Sequence, residues 1–117
     1  QGILDTYIPP PIANALSLAL GLDLAGGSLD GSVADRFAPL SSVLDLGGGE
    51  ALALPVQGNA RDGAATAVIV QHDEDGVEDG HEVVFQRPEP RAQYRCFLET
   101  LGGDATPIVV ARDGACP

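Results

Sequence analysis

The sequence predicts an α/β fold on three observations. Residues Ala65–Gln71 (Ala-Thr-Ala-Val-Ile-Val-Gln) form a β-branched, nearly continuous apolar run, the signature of a strand buried on both faces of a sheet. Two other stretches, about 12–20 and 90–101, place apolar residues at helical spacing. The two patterns alternate along the chain, as layered helix-on-sheet folds require. With 117 residues and 44% apolar composition, residues 1–117 make one domain or subunit with a packed core.

Taken in order, residues 1–8 read as a loop. Pro9, Pro10 and Pro11 then open a helix, since proline lacks only an N–H that the first turn would leave unpaired. Ile12, Ala15, Leu16, Ala19 and Leu20 give this helix an apolar stripe that predicts burial, and Gly21 ends it. Residues 23–63 are rich in glycine and read as an irregular, lid-like insertion, with a short strand at 51–56 and a turn at 57–63. The strand at 65–71 follows. Six of the eleven residues at 72–82 are acidic, so this segment is a loop, and Val83, Val84 and Phe85 anchor it to the body. In the helix at 90–101, Tyr94, Phe97, Leu98 and Leu101 form a second apolar stripe, with Gly102 and Gly103 beyond it. Arg91, Arg95 and Glu99 share a face of that helix at i,i+4 spacing, and the arginines can dock the acidic loop. Thr106–Ala111 is a last extended segment.

Composition narrows the function. There are 17 acidic residues against six basic ones, a formal net charge of −11, and no lysine. Such a chain lacks the clustered cations that nucleic acid or an anionic membrane surface demands. No run approaches the roughly 20 apolar residues of a membrane span. Cys96 and Cys116 fit no metal-binding pattern, and an even pair suggests one disulfide in an exported chain, secreted, periplasmic or at the cell surface. Two free thiols are the alternative. The first residue is Gln, which suggests a processed, truncated or partial chain.

Two motifs carry chemistry when taken together. Asp5 lies in Gly2-Ile3-Leu4-Asp5-Thr6-Tyr7-Ile8-Pro9, a Gly-x-x-Asp-x-x-x-Pro run that leads into a helix. His81 lies in Asp79-Gly80-His81, between the apolar strand and the terminal helix. This ordered set resembles the C-terminal part of an α/β-hydrolase, over residues 1–20 and 65–101. The resemblance implies the C-terminal portion of a hydrolase-type sheet with flanking helices, incomplete without an upstream or partner chain. It implies a triad in which Asp5 is the acid and His81 the base. The Ser, Asp, His order of that superfamily places the nucleophile before Gln1 or on a second polypeptide. No Gly-x-Ser-x-Gly occurs, and none of Ser17, Ser28, Ser32, Ser41 or Ser42 follows a strand at a sharp elbow. The implied substrate is a small ester or lipid, with no cofactor required.

The acidic loop admits a rival chemistry. Asp73, Asp75, Glu78 and Asp79 offer hard oxygen ligands of the kind Ca²⁺ prefers, although the twelve-residue EF-hand spacing is not met. Two further functions follow from composition: a small secreted, disulfide-stapled binding module whose acidic loop is stabilised by Ca²⁺, and an acidic inhibitor or immunity-type protein that meets a basic partner.

Overall fold

A computed structural model describes residues 1–117. It is a mixed α/β domain with a small parallel sheet. Helix α1 (Pro10–Ala19) leads to β1 (Asp23–Ala25), followed by three 3₁₀ turns at Asp30–Val33, Leu40–Ser42 and Leu44–Gly47. Strands β2 (Ala51–Leu52), β3 (Val56–Gln57) and β4 (Val68–Ile69) come next. A 3₁₀ turn at Gly80–Glu82 runs into α2 (Val83–Gln86), and α3 (Pro88–Leu101) and β5 (Ile108–Val109) finish the chain.

The main sheet has the order β2-β1-β4, all parallel, with Leu24 opposite Ala51 on one side and Ile69 on the other. Parallel neighbours need crossover connections. The 3₁₀-rich segment 26–50 supplies one between β1 and β2. β1, which lies in what the sequence suggests is an irregular insertion, is therefore the central strand. The insertion contributes to the core: Leu24, Leu40 and Leu44 are buried together, with Leu18, Val43 and Ile69 packed around them. Close approach requires a glycine here, because a Cβ on Gly47 would lie 2.6 Å from the Leu18 carbonyl oxygen of α1.

The sheet does not stop at β4. The Gln1 amino group donates to the Val70 carbonyl at 2.8 Å, His72 N donates to the Gln1 carbonyl at 2.9 Å, and Ile3 N donates to the His72 carbonyl at 2.9 Å. Residues 1–3, which read as loop, thus run parallel to the end of β4. Residues 51–56 divide at the cis Leu54–Pro55 bond: β2 stays in the parallel sheet, while β3 pairs antiparallel with β5 in a separate ribbon.

The helix stripes are turned round relative to the sequence expectation. In α1 the buried positions are Pro10, Asn14 and Ser17, while Ile12, Leu16 and Leu20 are 60%, 59% and 63% exposed. The cause is a buried polar hub. Asp30 is fully enclosed and accepts from Leu40 N at 2.8 Å, Ser28 Oγ at 2.7 Å and Asn14 Nδ2 at 3.1 Å. A buried carboxylate must find donors, so α1 presents Asn14 inward. Burial pushes the Asp30 carboxyl up, but these hydrogen bonds outweigh it and leave it below its ordinary value. In α3 the inward face is Pro90, Gln93 and Cys96, and Tyr94, Leu98 and Leu101 are exposed. Gln93 Nε2 bonds the Val110 carbonyl at 2.6 Å, which secures α3 to the chain just after β5. β4 likewise is only half-buried, rather than enclosed on both faces.

Cys96 and Cys116 form a disulfide that closes a 20-residue separation. On the chain-entropy model a loop of that size contributes about 3 kcal/mol. No helix is long and apolar enough to cross a membrane.

Candidate active site

Both motif residues leave the sheet at the same end. Asp5 follows the parallel segment 1–3, and His81 follows β4 after the acidic loop. The chain brings them together across 76 positions: His81 Nδ1 lies 3.3 Å from Asp5 Oδ2. An ionised carboxylate only accepts, so this contact sets the imidazole as the Nδ1–H tautomer with Nε2 free to accept. Asp5 is 11% exposed and His81 40%, so the carboxylate is sheltered while the ring reaches solvent.

Local structure fixes each partner. Asp5 Oδ1 accepts from Tyr7 N at 2.9 Å and Ile8 N at 2.8 Å, a turn closed by the side chain just ahead of α1. Its other oxygen is left for His81. The Tyr7 ring lies against the imidazole, with centroids 4.9 Å apart and planes at 32°. The loops themselves nearly touch. A Cβ on Gly80 would sit 2.3 Å from the Ile3 carbonyl oxygen, and one on Gly2 would sit 1.8 Å from the Gly80 carbonyl oxygen.

Asp79 bridges the two loops. Its Oδ1 accepts from His81 N at 2.9 Å and Thr6 N at 3.1 Å, and its Oδ2 accepts from Thr6 Oγ1 at 2.5 Å. The Thr6 hydroxyl, the His81 N–H and the Thr6 N–H together hold its carboxyl below the ordinary value. The sequence offers Asp79 as a metal ligand, and nothing in it marks Thr6 or Tyr7.

The calcium expectation does not meet a gathered ligand set. Asp73, Asp75, Glu78 and Asp79 do not converge, and no three His, Cys, Asp or Glu side chains group so as to hold a metal ion. Asp75 turns back onto Val77 N and Glu78 N, both at 2.9 Å, as a loop-closing side chain. Arg87 reaches the acidic loop through the Glu74 carbonyl at 3.4 Å, Arg91 bonds the Phe85 carbonyl, and Arg95 pairs with Glu99 at 3.6 Å.

The second histidine behaves differently. His72 is buried at the end of β4, and burial is the main cause that lowers its pKa to about 4, aided by the Gln1 amino group and Arg112. It is neutral at pH 7. The unfolded chain takes up a proton near pH 6.5, before the folded one does, so stability falls as pH drops from about 6.5 to about 4. Allowing for partial screening, we expect a loss of about 1–2 kcal/mol at pH 5 relative to pH 7. Urea melts at the two pH values should show this difference, and His72→Gln should remove it; an unchanged slope in the variant rejects the assignment.

No family model, curated protein or solved structure matches the chain.

Proposed function

We propose that this chain supplies the acid and base of a serine hydrolase, and that the nucleophilic Ser comes from a second polypeptide or from upstream sequence. The observation that carries this reading is the Asp5–His81 pair, built at one end of a parallel sheet from residues 76 positions apart. His81 Nε2 would take the proton of the attacking hydroxyl and return it to the leaving group. Asp5 would hold the ring in the required tautomer and stabilise the imidazolium as it forms. Water would then cleave the acyl intermediate. A small carboxylic ester or lipid is the substrate class this chemistry serves.

Two further features support the reading. Of the five serines, Ser17, Ser28, Ser32 and Ser42 commit their hydroxyls to local hydrogen bonds, and Ser41 sits in the Leu40–Ser42 3₁₀ turn rather than at a strand-to-helix elbow. The outward apolar residues of α1 and α3 are surfaces that a companion polypeptide would cover. The Cys96–Cys116 disulfide favours an oxidising, exported location.

The test is native mass spectrometry of the material from its source, followed by labelling with a fluorophosphonate. The reading expects a companion polypeptide, or a longer chain, with one labelled Ser. A lone 12.0 kDa folded monomer that resists the probe rejects it.

A further inference from the structure

We propose that Asp79, acting through Thr6, is the positioning residue that holds Asp5 against His81. The inference rests on the Asp5–His81 pair of the proposed function and is independent of where the Ser lies. One carboxylate reaches the main chain of both loops: Thr6, which directly follows Asp5, and His81 itself. The Thr6 hydroxyl adds a third contact at 2.5 Å. Asp79 is in turn fixed from behind, because Gln86 Nε2 of α2 donates to its carbonyl at 2.6 Å. The Gly2–Gly80 contact brings the two backbones close, but it has no directional bond that fixes their rotation. The charge-assisted bonds of Asp79 supply that direction. Without them Thr6 N–H and His81 N–H lose their acceptor. The 5–8 turn is then free to rotate, and the Asp5 carboxylate and the Tyr7 ring leave the imidazole.

The readout is the tautomer of neutral His81 in the ¹⁵N-labelled 117-residue chain, taken from long-range ¹H–¹⁵N spectra. The wild type should be Nδ1–H. Asp5→Ala and Asp79→Ala should each shift His81 to mostly Nε2–H, with far-UV circular dichroism and the His72 signals unchanged. Thr6→Ala should shift part of the population and Thr6→Ser none. Thr6→Ala combined with Asp79→Ala should go no further than Asp79→Ala alone, as expected of one shared link. A folded Asp79→Ala chain that keeps Nδ1–H overturns the inference. If that variant does not fold, Thr6→Ala decides, and a tautomer identical to that of Thr6→Ser overturns it. An Asp5→Ala chain that still shows Nδ1–H removes the pair itself, and the proposed function falls with it. Absence of a Ser-bearing companion removes only the function and leaves the tautomer result standing.

Discussion

Under the proposed function, His81→Ala is expected to slow reaction of the companion Ser with an ester or fluorophosphonate by about 10⁶-fold, leaving only the catalysis that binding and an oxyanion site would provide. Asp5→Asn should cost less, about 10⁴-fold, and for a different reason. The amide can donate to Nδ1, which holds the ring in the wrong tautomer with Nε2 already protonated. The two effects should not add, since both remove one proton-accepting unit. Progress curves under single-turnover conditions measure this directly. A loss below tenfold in His81→Ala would show that the imidazole moves no proton, and the catalytic account of the pair would end there.

The second large effect is steric. Gly80→Ala places a methyl group 2.3 Å from the Ile3 carbonyl oxygen and 2.8 Å from Asp5 N, both backbone atoms that cannot rotate aside. Relief requires the loops to part, and because both neighbours are backbone atoms the cost should lie toward the upper end of the about 1–3 kcal/mol typical of overpacking. Chemical denaturation should therefore show a clearly lowered midpoint. In the surviving folded fraction the Asp5–His81 contact should be lost as well. A Gly114→Ala variant is a milder comparison, since its nearest neighbours are at 3.1 Å. Equal stability of Gly80→Ala and the wild type would mean that the loops do not meet as described.

What the sequence revealed follows from what kind of signal each feature leaves. The helices opened by Pro9–Pro11 and by Pro90 were legible because proline and apolar spacing act locally, although the second begins two residues earlier, at Pro88. The β-branched run Ala65–Gln71 marked the position of a strand but overstated its length, since β4 spans only Val68–Ile69. Asp5 and His81 could be paired only through their ordered contexts, since no local property of either residue points to the other. The direction of the helix faces was not legible. Periodicity reports that a face exists, but the buried Asp30 recruits Asn14 and so turns α1 over, and that requirement is set by a residue 16 positions away. β1 and the segment 1–3 were missed for a related reason: three-residue strands with glycine nearby carry too little pattern, and their pairing depends on β4. Asp79 and Thr6 were hidden because a carboxylate that accepts from backbone looks, in sequence, like any other acid in a charged run.

The outward-facing Ile12, Leu16 and Leu20 also set how the isolated chain behaves in bulk. Near neutral pH a formal charge of −11 keeps copies apart by mutual repulsion. Around the isoelectric region, near 4.2, that colloidal barrier vanishes while the greasy helix flanks remain bare, so mild acid should turn a dispersed solution into a clustering one.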